Sequence, residues 1–321
     1  MTMDANKPEI LITKKFPEII TGPLRNVARV HEWYEPYELM PREEVLKVIS
    51  RMTGIINQAE LKVDEDILSR GKNLKIIANV SLGVDNLDLE LMSKYGVWAT
   101  NTPGFFDYPV AEYAIGGIIV IMRRLLEADR FVRAGAWKSF QPGFWDGEGL
   151  TNKVLGIVGM GSIGKSLARL ASCMGMKVIY YNRSKSSTDH QWVPFQDLLR
   201  QADVISLNVP FSIDTREMIA AEQFGIMKPG VIFVNTSRGK VVNETDLVNS
   251  LKSGQIGGAV LDVFTSEPNV PEELRSMSNV LLTPHLAGGT KSRRIESYKL
   301  AADNIMQVLG GNRPINPLNK I

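Results

Sequence analysis

Three side chains with complementary chemistry stand in the last third of the sequence: Arg238, Glu267 and His285. Each follows a different segment that is typical of a buried strand, and parallel strands present their carboxyl ends at one edge of a sheet. Hydride transfer to a ketone needs a proton donor at the oxygen, a cation for a carboxylate and a group that keeps the donor charged. His285, Arg238 and Glu267 suit these roles in that order. A surface ion pair beside a capping histidine would use the same residue types, so both interpretations stay open at this point.

A glycine pattern in the middle of the chain predicts a dinucleotide site. Gly159 ends an apolar segment at 154–159, Gly161 and Gly164 follow it, and a helical pattern at 165–174 leads to a second apolar segment at 177–181. Ser162 and Ile163, between the second and third glycines, are candidate cofactor contacts. A glycine at each of these positions permits a tight turn, a close approach of the backbone to a pyrophosphate, and close packing of helix on strand. The first N–H groups of the helix would bind the phosphates.

The end of the second strand indicates which dinucleotide binds. NAD sites place an acidic residue there, which accepts hydrogen bonds from the ribose hydroxyls. This chain has Asn182 at that position, followed by Arg183, Ser184 and Lys185. A missing carboxylate and an added guanidinium favour NADP over NAD, although a solvated polar turn would contain the same residues.

Short apolar segments alternate with helical ones along the whole chain, which predicts an α/β fold with parallel sheets. We predict strands at 10–12, 28–30, 54–56, 75–79, 97–99, 154–159, 177–181, 204–208, 231–235, 258–262 and 280–283. Helices are predicted at 42–52, 110–133 and 291–309. The glycine-containing turn at 80–85 could hold a carboxylate on its N–H groups, or could be an ordinary strand-to-helix turn.

Composition limits the classes of function. A chain of 321 residues is long enough for two domains, and a net charge of +2 gives no electrostatic case for nucleic acid or membrane partners. The longest apolar run, 114–122, is too short to cross a bilayer. The single cysteine, Cys173, excludes an intramolecular disulfide and suits the reducing cytoplasm. We expect its side chain to be buried as a small apolar group. No residue pattern indicates a metal site.

A loop at 135–150 follows the predicted long helix. It contains Trp137, Phe140 and Phe144 among glycines and a proline. Aromatic residues at this density need burial, so we expect an ordered loop that packs against another part of the protein or another subunit.

Several motifs together resemble those of the D-isomer-specific 2-hydroxyacid dehydrogenases. The matching stretches cover nearly the whole chain: Ser81–Asp85, Asn101-Thr-Pro with Val110-Ala-Glu, the glycine-rich loop, Asn208-Val-Pro with Thr215, Asn235–Gly239, Leu261–Phe264 with Glu267-Pro, and Pro284-His with Ala287-Gly. The resemblance implies two Rossmann-like domains with parallel sheets, in which a discontinuous substrate domain at 1–102 and 291–321 flanks a cofactor domain at 103–290. It also implies a homodimer built around the long helix and the loop that follows it.

The resemblance also implies roles for individual residues. Arg238, Glu267 and His285 would form the catalytic set, Arg238 and His285 would contact the substrate, and the N–H groups of Leu82 and Gly83 would bind its carboxylate. Asp262 would hold the nicotinamide carboxamide. The remaining implied cofactor contacts are Val209, Pro210, Thr215, Thr236 and Gly288.

The expected reaction is NAD(P)H-dependent reduction of a small 2-keto acid to the D-2-hydroxy acid. Glu267 distinguishes the chain from the formate dehydrogenase branch, which has a glutamine there, and the stretch Gly135-Ala-Trp137 is more similar to glyoxylate/hydroxypyruvate reductases. A dehydrogenase of bulkier keto acids, of the D-lactate or D-mandelate type, is an alternative. So is a dinucleotide-sensing corepressor, which would bind the cofactor without turnover.

Overall fold

The structure, a computed structural model, describes residues 7–35 and 37–321. Contacts divide these residues into two compact units, which we call unit 1 (the described residues up to Phe105, with Thr290–Ile321) and unit 2 (Phe106–Gly289). The divisions lie close to the boundaries predicted at 102/103 and 290/291. The substrate and cofactor roles of the two units stay predictions, and residues 1–6 of the first predicted domain lie outside the described residues.

Unit 1 contains a five-stranded parallel sheet in the order β2-β1-β3-β4-β5. Its strands are β1 (Glu9–Ile12), β2 (Arg29–Glu32), β3 (Met52–Asn57), β4 (Ile76–Asn79) and β5 (Trp98–Thr100). Its helices are α1 (Glu18–Val27), α2 (Arg42–Val48), α3 (Glu65–Arg70), α4 (Leu89–Lys94) and, after unit 2, α12 (Lys291–Leu309). The predicted parallel α/β fold is confirmed here.

Apolar residues on both sides of every central strand bury both faces of this sheet, as parallel sheets require. One face packs against α1 and α12, and the other packs against α2, α3 and α4. Gly54 in β3 allows α12 to approach closely, since a Cβ at that position would lie 2.9 Å from Cδ1 of Ile305. The helix that returns from the far end of the chain therefore completes the core of unit 1.

Unit 2 contains a seven-stranded parallel sheet in the order β12-β11-β10-β9-β6-β7-β8. Its strands are β6 (Val154–Val158), β7 (Lys177–Tyr181), β8 (Gln191–Trp192), β9 (Val204–Leu207), β10 (Val231–Asn235), β11 (Ile256–Leu261) and β12 (Val280–Leu282). Its helices are α5 (Asp107–Met122), α6 (Leu125–Arg133), α7 (Ser162–Cys173), α8 (Phe195–Gln201), α9 (Ala221–Ile226), α10 (Glu244–Lys252) and α11 (Glu272–Ser276). The strand order reverses between β6 and β9, which is where doubly wound sheets bind their ligands.

The prediction of one helix over 110–133 is wrong. The helix ends at Met122 and α6 begins at Leu125, because Arg124 adopts a left-handed conformation with φ 54°. The carbonyl of Met122 instead accepts a hydrogen bond from Glu148 N–H at 2.8 Å, and Gly147 packs directly on that carbonyl. A returning loop thus caps the end of α5, which helical periodicity alone does not reveal.

Two smaller expectations are also wrong. The helix predicted at 42–52 ends at Val48 and continues as a 3₁₀ turn, and Met52 already belongs to β3. Cys173, expected to be buried, is exposed at the last residue of α7. The short edge strand β8 was not predicted, since two residues carry no periodic signal.

The aromatic loop is exposed in the single chain. The side chains of Trp137, Phe140 and Phe144 are 59%, 83% and 56% exposed, although Phe144 and Trp145 pack edge to face with ring centres 5.0 Å apart. Within the described residues, no helix is long and apolar enough to cross a membrane. The described residues also contain no group of three or more His, Cys, Asp or Glu side chains that could hold a metal ion.

Candidate active site

The register of unit 2 brings the predicted reactive residues to one edge. Asn235, Leu261 and Leu282 are aligned across β10, β11 and β12, and each is the last residue of its strand. The segments that carry Arg238, Glu267 and His285 therefore leave the sheet side by side at its carboxyl edge.

Arg238 lies in a tight turn that packs on the next segment. The side chain of Asn235 ties this turn together by donating to the carbonyl of Arg238 at 3.0 Å. The following residue, Gly239, is buried against backbone, and a Cβ there would lie 1.9 Å from the carbonyl carbon of Phe264. Only glycine allows this approach, which brings Arg238 next to the segment that ends in Glu267.

His285 and Glu267 form a direct pair. Nδ1 of His285 lies 2.8 Å from Oε2 of Glu267, while Oε1 of Glu267 accepts a hydrogen bond from Phe264 N–H at 3.0 Å. His285 has a left-handed backbone with φ 53°, and its N–H donates to the carbonyl of Asp262 at 2.9 Å. Since Nδ1 faces Glu267, Nε2 on the other side of the ring is directed away from the pair. His285 remains about half exposed, as a group that meets a substrate must.

His285 and Glu267 each stabilise the charged form of the other. The hydrogen bond that His285 donates to the Glu267 carboxylate holds the pKa of His285 above its ordinary value, although burial acts in the opposite direction. Burial also opposes ionisation of Glu267, but the hydrogen bonds from His285 and Phe264 lower its pKa below the ordinary value. The geometry therefore favours an imidazolium at His285, which is the form that can donate a proton.

Asp262 supports the turn that carries His285. Its carboxylate is buried and accepts hydrogen bonds from Thr283 Oγ1 at 2.6 Å and from the N–H groups of Leu286 and Ala287 at 2.8 Å each. Burial raises the pKa of Asp262, although these bonds act against the rise. The family resemblance implies a cofactor contact here, and the structure shows three protein donors on this carboxylate.

Tyr113 and Thr283 extend this network, and sequence reasoning missed both. The hydroxyl of Thr283 gives its only hydrogen to Asp262, so it must accept the hydrogen bond from Tyr113 Oη at 2.5 Å. Burial raises the pKa of Tyr113 to about 12, which keeps it a neutral donor. A tyrosine on an apolar helix and a threonine at a strand end are too common for the sequence to indicate this role.

The glycine-rich loop has space for a ligand. Gly159 has φ 102°, and a Cβ there would lie 2.5 Å from the carbonyl oxygen of Asn208; a Cβ at Gly164 would lie 2.3 Å from the carbonyl oxygen of Gly159. Gly161 differs, because a Cβ would meet no protein atom within 4 Å. It precedes Ser162 and Ile163 at the first turn of α7, so the space above it lies at a helix N-terminus.

Residues 182–185, which follow β7 beside the glycine loop, carry no negative charge. Oδ1 of Asn182 accepts a hydrogen bond from Met160 N–H at 2.7 Å, so the side chain fastens the glycine loop. Arg183 is 84% exposed and pairs with the exposed Asp214 at 3.2 Å. Ser184 and Lys185 are exposed as well. A guanidinium is therefore available at the strand end where a 2′-phosphate would lie.

The ends of β9 and β10 carry polar atoms that lack protein partners. Among the described residues, Asn208 Oδ1 and Thr236 Oγ1 are buried without a hydrogen bond. Thr215 has a structural contact instead, since its hydroxyl donates to the carbonyl of Pro210 at 2.8 Å. The neighbouring Val209 is partly buried against the core, and Gly288 packs near Phe106. Orphaned polar atoms beside an open glycine loop fit a dinucleotide with amide and hydroxyl groups.

In unit 1, the turn after β4 presents free N–H groups. The carbonyl of Ser81 accepts from Thr102 N–H at 2.9 Å, and the carbonyl of Leu82 accepts from Asn101 Nδ2 at 2.9 Å. Within the part of the chain that the structure describes, the N–H groups of Leu82 and Gly83 donate to no protein acceptor. Two neighbouring half-buried donors of this kind can bind a carboxylate.

A family model matches unit 2. Residues 115–287 match the D-isomer specific 2-hydroxyacid dehydrogenase, NAD binding domain. The match covers more than half of the chain and includes the glycine loop and the Arg238, Glu267 and His285 segments.

Whole-length relatives are similar to both units. A glyoxylate reductase of Thermococcus litoralis is 38% identical over 98% of this chain and 97% of its own length. The crystal structure of a Thermus thermophilus protein superposes with a TM-score of 0.92 at 33% identity, covering 97% of this chain and 99% of that one. An NADPH-dependent glyoxylate/hydroxypyruvate reductase of Sinorhizobium meliloti, crystallised with NADP and malonate, gives a TM-score of 0.84 at 27% identity over 98% of this chain and 97% of that one.

Proposed function

The chain belongs to the D-isomer-specific 2-hydroxyacid dehydrogenase family, and from this premise we propose that it reduces glyoxylate and hydroxypyruvate, to the D-2-hydroxy acid where a stereocentre forms. The observation that carries the proposal is the pairing of His285 with Glu267 at 2.8 Å beside the Arg238 turn. Relatives named glyoxylate reductase at 33–38% identity support the substrate.

Each protein group has a defined task in the proposed reaction. The N–H groups of Leu82 and Gly83 and the guanidinium of Arg238 bind the carboxylate and orient the keto group. When bound, the reduced dinucleotide supplies the hydride to the keto carbon. His285 donates a proton from Nε2 to the keto oxygen, and Glu267 stabilises the imidazolium before the transfer. One hydride and one proton convert the keto acid into the hydroxy acid, and His285 regains its proton from water.

A substrate panel tests the proposal. Purified protein is incubated with NADPH or NADH and with glyoxylate, hydroxypyruvate, pyruvate, phenylpyruvate or benzoylformate, and cofactor oxidation is followed by absorbance. We expect the highest kcat/KM with glyoxylate or hydroxypyruvate. Preference for phenylpyruvate or benzoylformate would instead assign the D-lactate or D-mandelate type, and dinucleotide binding without any turnover would assign the corepressor-like function.

We propose NADP(H) as the preferred cofactor. Asn182 is uncharged and turned to the glycine loop, and the ion pair between Arg183 and Asp214 is exposed, so that exchanging Asp214 for a phosphate costs little. Native protein should have a higher kcat/KM with NADPH than with NADH, and Arg183→Ala should reduce that ratio about 10-fold, as loss of ~1.4 kcal/mol gives. Arg200→Ala, another exposed arginine of unit 2, is the matched control. A native preference for NADH would overturn the proposal.

We also propose that the protein is a homodimer that works in the cytoplasm. Trp137, Phe140 and Phe144 lie close together in the sequence and are all exposed, and subunit interfaces commonly cover such aromatic side chains; the single Cys173 suits a reducing compartment. Sedimentation at micromolar concentration should give twice the mass of one chain. An active monomer at that concentration would contradict the dimer.

A further inference from the structure

The N–H groups of Leu82 and Gly83 owe their direction to the carbonyls beside them. In a planar trans peptide, the C=O of one residue and the N–H of the next point in opposite directions. Thr102 N–H, by holding the carbonyl of Ser81, directs the N–H of Leu82 outward. Asn101 Nδ2, by holding the carbonyl of Leu82, does the same for the N–H of Gly83. The first contact is between backbone atoms, whereas the second depends on a side chain.

Asn101 is itself oriented by two further asparagines. Nδ2 of Asn316 donates to the backbone oxygen of Asn101 at 2.8 Å and to its Oδ1 at 3.2 Å. Nδ2 of Asn304 in turn donates to Oδ1 of Asn316 at 2.8 Å. Asn304 is fully buried in α12, and Asn101 is nearly so. We call Asn304, Asn316 and Asn101 the asparagine relay.

The direction of every amide in the relay is determined by its first member. Oδ1 of Asn304 accepts from Ile315 N–H at 2.8 Å, and a backbone N–H can only donate. This fixes which end of the Asn304 amide carries the NH₂ group. Because that group donates to Oδ1 of Asn316, the NH₂ of Asn316 must face Asn101, and the NH₂ of Asn101 must in turn face Leu82. The last acceptor, the carbonyl of Leu82, can only accept. Hydrogen bonds that run in one direction strengthen one another, so the relay stiffens its final contact.

We propose that Asn101 is a positioning residue for the substrate carboxylate, and that Asn316 and Asn304 hold it in the donating orientation. This inference rests on the proposed function, since it concerns the same keto acid. Asn101 acts through the Leu82–Gly83 peptide rather than on the substrate. The C-terminal segment after α12 thereby contributes to substrate affinity although none of its residues is among the proposed substrate ligands.

The test separates a positioning role from a structural one. Asn101→Leu keeps the number and branching of the side-chain heavy atoms but removes the donor, and should raise KM for glyoxylate about 10-fold, with kcat and the KM for the dinucleotide changed less than about 2-fold. The inhibition constant of oxalate, which presents the same carboxylate, should rise in parallel. Asn316→Ala, which leaves the Asn101 bond in place, should raise KM about 3-fold, since partial loss of orientation costs less than loss of the donor.

Asn319→Ala is the matched control. Asn319 is buried in unit 1 and makes hydrogen bonds to Val97 and Ala99, but none to the Ser81–Gly83 turn. It should lower Tm while leaving KM for glyoxylate within about 2-fold of the native value, because only structural bonds are lost. Equal effects of Asn101→Leu and Asn319→Ala on the KM for glyoxylate would overturn the inference. If Asn101→Leu does not fold, an unchanged KM in Asn316→Ala would overturn it instead. Absence of native turnover on any keto acid would instead overturn the proposed function.

Discussion

Replacing Gly239 by alanine tests whether the arginine turn must pack directly on the segment that leads to Glu267. The added Cβ would lie 1.9 Å from the carbonyl carbon of Phe264, 2.1 Å from its oxygen and 2.4 Å from the nitrogen of Thr265. Ordinary contact begins near 3.4 Å, so the two backbones must separate by about 1.5 Å (3.4 − 1.9). No flexible side chain is available to yield, because all three atoms belong to the main chain.

That separation sets the expected magnitudes. A displacement of about 1 Å in a positioned group can cost ~100-fold in rate, so Gly239→Ala should reduce kcat/KM for the keto acid by about two orders of magnitude. Overpacking of this kind costs roughly 1–3 kcal/mol, which lowers Tm by about 2–12 °C for a domain of this size. Binding of the dinucleotide to the glycine loop, measured by quenching of protein fluorescence, should persist.

Gly225→Ala is the control. Gly225 lies in α9 of the same unit with no atom within 4 Å of an added Cβ, so alanine there should leave kcat/KM unchanged and stabilise the helix by roughly 0.5–1 kcal/mol. If Gly239→Ala retained native kcat/KM and Tm, the close packing of the two segments would not be what positions Arg238.

Three further outcomes are expected. His285→Ala should reduce kcat about 10²–10⁴-fold while the KM for the dinucleotide stays near native; near-native turnover would place the proton donor elsewhere. Reduction requires protonated His285, whose pKa Glu267 raises, so kcat/KM should be maximal at low pH and fall as pH rises through that pKa. Glu267→Gln should move the fall to lower pH, and an unmoved profile would contradict the pairing. Tyr113→Phe leaves Thr283 without its donor and should destabilise the protein by about 1 kcal/mol in thermal unfolding. Tyr108→Phe is the control: Tyr108 is partly exposed and its ring faces the guanidinium of Arg169, a contact that phenylalanine keeps, so the change should be neutral.

The sequence indicates the inner strands of both units because these strands are buried on both faces and are therefore almost continuously apolar. The exposed edge strand β8 lacks this signal. The sequence also indicates the glycine loop, since a tight turn and two close approaches each demand glycine at a fixed spacing. The break at Arg124 could not be predicted, because it depends on a loop that returns to Met122 from residues 147 and 148.

The site residues also differ in whether the sequence alone can indicate them. Arg238, Glu267 and His285 are ionisable residues that each follow a different predicted strand, so the sequence indicates them as candidates, and the family resemblance implies their roles. Asn101, Thr283 and Tyr113 act through hydrogen bonds to partners about 20 to more than 200 positions away, such as the contact between Asn316 and Asn101. No local pattern encodes a partner at that distance, so these supporting residues appear only when the chain is folded.

The position of α12 has a consequence for the order in which the protein folds during synthesis. Ala301 and Ile305 of this helix are fully buried in the core of unit 1, whose five strands all precede Phe105. Domains generally fold as units while the chain emerges from the ribosome. Unit 2 is one continuous segment and has all of its residues before α12 exists. The first strands to be made are thus the last to have their core completed. Until α12 is made, α1 alone is available to cover the sheet face that the two helices share in the folded protein.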